Sequence, residues 1–184
     1  MRLLLSVMLV TGLLTSPAIA SGAPAGGPRL RPHDPRIVQV IKEGMARSAT
    51  FRALVERIET GQVIVYVAVS PMLKPSLSGA LTWMTRAGDF RYVRASIRPD
   101  LTFNQMIATV AHELQHAVEV IEDESVIDED SLVAMYRRIG QPNSVAGPQA
   151  WETAAAQRLG SQVRRELAME PATLLARVST WSQS

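Results

Sequence analysis

The sequence predicts an α+β domain: a small, mostly antiparallel sheet packed on one long helix, with further helices around it. Three stretches carry that prediction. Residues 62–70 read Gln-Val-Ile-Val-Tyr-Val-Ala-Val-Ser, a β-branched run without alternation, which predicts a strand covered on both faces. Residues 79–86 and 90–98, joined by Ala87-Gly88-Asp89, read as a hairpin. Thr102 with Gln105 three positions on forms a capping box for a helix. Met106, Ile107, Val110, Ala111, Leu114, Ala117, Val118 and Ile121 are its apolar stripe.

Taken in order, the chain begins Met1-Arg2, an apolar run over 3–14, Pro17, then Ala18-Ile19-Ala20. A basic start, a short apolar core and an Ala-x-Ala ending predict a secretory signal peptide over 1–20, cleaved after Ala20. The run falls short of the ~20 residues of a membrane span, so no membrane association is expected after cleavage. The expected location is the periplasm or the medium. Residues 21–33, rich in Gly, Pro and Ala, predict a disordered leader, and 34–184 a single domain. His33 ends that leader and is expected to be solvated rather than a ligand, because mobile tails make poor sites.

Asp34-Pro35 predicts a helix start, an acidic N-cap with proline at the first helical position. Ile37, Val38, Ile41 and Met45 carry its period. Phe51, Leu54, Val55 and Ile58 resume it after a bend near 48–50, and Gly61 stops it. In residues 90–98, Val93, Ala95 and Ile97 alternate with Tyr92, Arg94, Ser96 and Arg98, predicting one wet face near a sheet edge. Seven acidic residues between Glu119 and Asp130 read as a solvated helix end and loop, without the Gly or ligand spacing of an EF-hand. Asp128 or Asp130 caps the next helix, with Leu132, Val133, Met135, Tyr136 and Ile139 apolar and Gly140 the stop. Pro148 opens a helix expected to reach about Met169, and 172–181 a last short one.

The chain has no cysteine, which excludes thiolate zinc sites, cysteine nucleophiles and a lipobox anchor. A net charge of +2, or +1 once Arg2 is cleaved away, gives no electrostatic reason to invoke nucleic acid.

The chemistry concentrates in His112-Glu113-Leu114-Gln115-His116, which holds two of the three histidines. On a helix, positions four apart share a face, so both imidazoles can bind one Zn²⁺ while Glu113 reaches a metal-activated water. The plain alternative is a core helix with two hydrogen-bonded histidines. A catalytic zinc takes three protein ligands. Glu152 is the candidate third. On a helical wheel it shares a face with Ala155, Ala156, Leu159, Val163 and Leu167, and a carboxylate on a buried face is costly unless paired or coordinated. The small residues Ala155 and Ala156 would let that helix approach the motif helix. Glu119, three residues beyond His116, is the rival, but a third ligand from the same straight helix can hardly close a tetrahedron.

His112-Glu113-x-x-His116, followed by Trp151-Glu152-Thr153-Ala154-Ala155, resembles the gluzincin class of zinc metallopeptidases. The resemblance implies a zincin-like fold, zinc held by His112, His116 and Glu152, and Glu113 as general base in hydrolysis of a peptide or protein substrate. It also implies that the strand before the motif helix, 90–98, lines the cleft and pairs with extended substrate. Ala156 stands where thermolysin-like members carry an aspartate that orients a ligand histidine, so another acceptor must serve here. Tyr136, Arg137 and Arg138 are the candidates for stabilising an oxyanion, and no spacing rule selects among them. The competing readings are an inactive metal-binding or partner-binding domain of the same kind, a purely structural secreted domain, and a di-iron bundle. The last needs a second Glu-x-x-His pair, which the chain lacks.

Overall fold

The computed structural model describes residues 27–143 and 151–169. The expected signal peptide and the helix expected at 172–181 lie outside the described residues. The chain runs β1 (Leu30–Pro32), α1 (Pro35–Arg47), α2 (Ala49–Glu59), β2 (Val63–Val69), β3 (Gly79–Ala87), β4 (Phe90–Ile97), α3 (Phe103–Glu122), α4 (Glu129–Ile139), β5 (Gln141–Pro142), β6 (Trp151–Glu152) and α5 (Ala154–Met169).

The α+β class holds, but the sheet is mixed rather than mostly antiparallel. Its order is β1-β2-β4-β3. β2 runs parallel to both β1 and β4, and only the β3–β4 hairpin is antiparallel. Two helices, α1 and α2, form the crossover from β1 to β2, the connection a parallel pair requires. An interior strand with parallel neighbours also accounts for the unbroken apolar run of β2. Its burial is uneven between faces: Val63, Val65 and Val67 enter the core, while Tyr66 and Ala68 are half-buried.

The leader expected over 21–33 is corrected at its C-terminal end. Leu30 pairs with Val65, and the backbone N–H of His33 donates to Val67 O at 2.8 Å. The N–H groups of Arg29 and Leu30 donate to the Glu59 carboxylate at 2.8 and 3.0 Å. Three residues are too few to display a period, so only the partner strand defines this element. The His33 side chain is exposed, as expected.

The helix ends follow their caps. Asp34 accepts from Ile37 N, and its other oxygen accepts from Val69 N at 3.2 Å, tying α1 to the end of β2. Ser48 closes α1 and caps α2, which makes the bend. Both oxygens of Glu166, from α5, reach this joint: the hydroxyls of Ser48 and Thr50 donate to it at 2.5 and 2.6 Å. Gly88, at φ 56°, supplies the left-handed residue of the two-residue hairpin turn.

α3 lies at the centre. It rests on β2, β3 and β4 and also touches α1, α2 and α5. Its burial therefore goes well beyond the single stripe, and Glu113, His116 and Glu119 are buried as well. One hydrophobic cluster, from Leu30 to Leu167, joins these elements. The C-terminal end of α3 is closed by Arg91 of β4, whose buried guanidinium donates to Val120 O and Asp123 O, both at 2.7 Å. Among the described residues no helix is long and apolar enough to cross a membrane.

Candidate metal centre

The capping box places α3 so that His112 and His116 stand one turn apart, their rings 5.0 Å between centroids. They face β6 and α5. Close approach is possible there because Ala156 is fully buried and Gly160 has no side chain. A Cβ on Gly160 would lie 3.3 Å from His112 Cβ and 3.4 Å from Ala108 O. Ala156 and Gly160, four apart, form a small-residue stripe; the sequence reading noted the alanines and missed the glycine.

Glu152 arrives at the histidines, but not from a helix. The helix expected from Pro148 begins only at Ala154, and Trp151-Glu152 instead pairs with Gln141-Pro142 as a short antiparallel ladder. Thr153 ends the ladder and caps α5, its hydroxyl accepting from Ala156 N at 3.1 Å. Glu152 Oε1 lies 3.3 Å from His112 Nε2 and 3.8 Å from His116 Nε2, and all three atoms lie within 4.8 Å of one another. Metal–ligand bonds of 2.0–2.1 Å in a tetrahedron imply ligand–ligand edges of roughly 3.3 Å. Two imidazole nitrogens and a carboxylate oxygen at this spacing could hold one metal ion.

Glu119 does not join that set. It is the buried exception in an otherwise solvated acidic stretch. Its Oε2 meets His116 Nδ1 at 2.8 Å, and its Oε1 accepts from the Thr153 hydroxyl at 2.6 Å. Glu119 therefore engages the Nδ1 side of His116, which leaves Nε2 facing Glu152. Glu119 thus holds the His116 ring from its Nδ1 side.

Glu113 points to the other side, toward β3. Its carboxylate is buried and sits against Gly79, where an added Cβ would fall 2.5 Å from Oε1. Glu113 Oε2 and the Tyr136 hydroxyl are buried without a hydrogen-bond partner among the described residues. The Tyr136 ring stands edge-on to His116, 5.4 Å between centroids. Arg137 and Arg138 are exposed, and Arg138 pairs with Asp123 instead. Of the three oxyanion candidates, only Tyr136 is at the site.

These groups open into a cleft of about 440 Å³. Its floor is His112, Glu113 and His116; one wall is β3, the other α4. Residues 79–83 all line it, both parities of the strand, so the cleft runs along the free edge of β3. This corrects the cleft strand: β4 is interior and paired on both sides, and β3 is the edge.

Three carboxylates around two imidazoles make the site attractive to cations. Burial works to lower the pKa of His112, but the bond to Glu152 and the charges of Glu113, Glu152 and Glu119 outweigh it, and the pKa is raised. Burial pushes Glu152 up, yet His112 and His116 hold it below the usual carboxylate range. Glu113 is raised by burial, which His116 and His112 only partly oppose. Burial, then Glu119, Glu113 and Glu152, push the Tyr136 hydroxyl well above its ordinary value. A divalent cation would meet the same negative field that protons on histidine meet, so the two compete.

No family model, curated protein or solved structure matches this chain.

Proposed function

We propose that the protein is an exported zinc-dependent peptidase of gluzincin type and zincin-like architecture. The observation that supports it most is the convergence of His112 Nε2, His116 Nε2 and Glu152 Oε1 beside a buried Glu113 carboxylate oxygen that has no hydrogen-bond partner among the described residues.

Zinc bound there would supply a Lewis acid and a water of lowered pKa. Glu113 is the base: its raised pKa brings it closer to neutrality, where accepting and returning one proton is easiest. The buried Tyr136 hydroxyl, with no hydrogen-bond partner among the described residues, is the donor for the negative charge developing on the substrate carbonyl oxygen. The free edge of β3 offers backbone groups to an extended chain, and Leu81, Trp83, Leu132 and Trp151 line the cleft for apolar side chains. Export rests on the segment 1–20, and a secreted product beginning at Ser21 by intact mass tests it.

The central test is metal content and hydrolysis together. About one zinc per wild-type chain, a sharp loss in Glu152→Ala, and Glu113→Gln that keeps zinc but no longer cleaves a peptide library are the expected results. A folded wild type that takes no zinc when offered it would refute the metal site. Zinc bound without cleavage of any peptide would refute the peptidase and leave a metal-binding domain.

A further inference from the structure

Thr153 touches both halves of the metal set. Its backbone N–H donates to Glu152 Oε1 at 2.9 Å, the oxygen that faces the histidines. Its hydroxyl donates to Glu119 Oε1 at 2.6 Å, and Glu119 in turn holds His116 Nδ1. The same hydroxyl accepts from Ala156 N at the first turn of α5. A hydroxyl has one proton and two lone pairs. Ala156 N–H uses one lone pair, and the 2.6 Å bond to the Glu119 carboxylate uses the proton. Thr153, Glu119 and His116 are all buried, so water does not compete for these bonds.

We propose that Thr153, acting through Glu119, is a positioning residue for the metal centre. It fixes the tautomer and ring orientation of His116, and it joins that histidine, carried by α3, to Glu152, carried by the strand before α5. The inference rests on the zinc-site reading above. Its consequence is that a hydroxyl touching no metal governs metal affinity, because ligand orientation is set by such outer contacts.

The experiment is zinc affinity by competition with a chromophoric chelator, on the full exported chain. Glu119→Ala and Thr153→Val are each expected to weaken zinc binding by roughly ten- to a hundredfold. Thr153→Ser, which keeps the hydroxyl, should bind as wild type. The double variant decides the route: if Thr153 acts through Glu119, adding Thr153→Val to Glu119→Ala costs no further affinity. If Thr153 only caps α5, the two losses multiply, and the proposal is overturned. Wild-type affinity in Thr153→Val overturns it equally. Thr153→Gly guards against failure to fold, because glycine is a serviceable N-cap and lacks the hydroxyl; it must bind zinc as weakly as Thr153→Val. A wild type without zinc is a different result, since it removes the site itself rather than the role of Thr153.

Discussion

Gly79→Ala tests the proposed general base, Glu113, apart from the proposed metal site. Gly79 opens the edge strand β3, and no left-handed backbone angle is recorded for it, so space alone decides what a side chain does there. An alanine Cβ would fall 2.5 Å from Glu113 Oε1, 2.9 Å from its Cδ and 2.8 Å from Thr109 Cγ2. Non-bonded carbon and oxygen rest at roughly 3.3 Å or more, so the carboxylate must withdraw by about 1 Å. A misplacement of that size at a reacting group costs about a hundredfold in rate. The three atoms nearest that Cβ belong to Glu113 and Thr109 and to none of the three proposed metal ligands, so zinc content should stay at the wild-type value.

The same clash has a cost in stability. Overpacking of a filled site costs roughly 1–3 kcal/mol. Replacing glycine restores roughly 0.5–1 kcal/mol through the unfolded chain. Urea unfolding of Gly79→Ala should therefore report a net loss on the order of 1–2 kcal/mol. Placed on Glu113→Ala, the substitution should cost less, because only the stiff β-branched Thr109 remains in the way. Peptide hydrolysis, zinc content and urea midpoint are measured on all four proteins. A wild-type rate in Gly79→Ala, or an equal stability cost with and without the Glu113 carboxylate, would sink the reasoning.

Three further predictions test other parts of the structure. Bonds from Ser48, Thr50 and Gln162 lower the pKa of Glu166 to about 2, against the opposing effect of burial. A depressed carboxyl contributes stability above its unfolded pKa near 4.5 and loses it as pH falls toward 2. Solvent around this half-buried group reduces the ~3 kcal/mol implied to roughly 1–2. Wild type should exceed Glu166→Gln by that amount in urea at pH 6, with the gap closing toward pH 2; a gap constant with pH refutes the linkage. Arg91→Leu strips the carbonyls at the end of α3 of a buried charged donor, and a loss of about 2–3 kcal/mol in urea unfolding is expected. Tyr136→Phe removes a hydroxyl that has no partner among the described residues. Stability should hold or rise by up to about 1 kcal/mol, while kcat falls on the order of a hundredfold. A destabilised Tyr136→Phe would mean the hydroxyl is bonded in the folded protein.

What was legible in the chain is what is local. Asp34, Thr102 with Gln105, Asp128 and the Gly88 turn each act within four residues, and each stands where its side chain predicts. Strand partnership is not local. Nothing inside 30–32 announces that Leu30 will pair with Val65, and the hairpin's own alternation cannot say that β4 also runs beside β2. Glu152 lies between these cases. The helical wheel points to Glu152 on a helix, whereas the structure brings it to the histidines from a strand, because Thr153 caps the helix one position after it and Trp151-Glu152 is held by pairing with 141–142. Its four-residue distance from Ala156, on the buried face of α5, keeps it on the histidine side either way. Glu119 shares a face with His116 in any helical reading, but only α5 lying across α3 removes it from water.

The buried polar groups of this site divide into two kinds. Glu119, Thr153 and His116 are bonded to one another, and nothing in that chain of contacts is left to offer a ligand except His116 Nε2. Glu113 Oε2 and the Tyr136 hydroxyl are buried with their hydrogen-bonding capacity unused among the described residues. An unpaired buried polar atom costs roughly 1–3 kcal/mol, and an apolar side chain of similar shape in either place would avoid that cost. A fold selected for stability alone has no reason to keep two such atoms on the walls of one cleft, flanking two imidazoles. Under the proposed function the Glu113 oxygen would meet a metal-held water and the Tyr136 hydroxyl the substrate carbonyl, so neither capacity would go unused. On that reading substitutions in the bonded set should move zinc affinity, and substitutions in the unbonded set should move turnover.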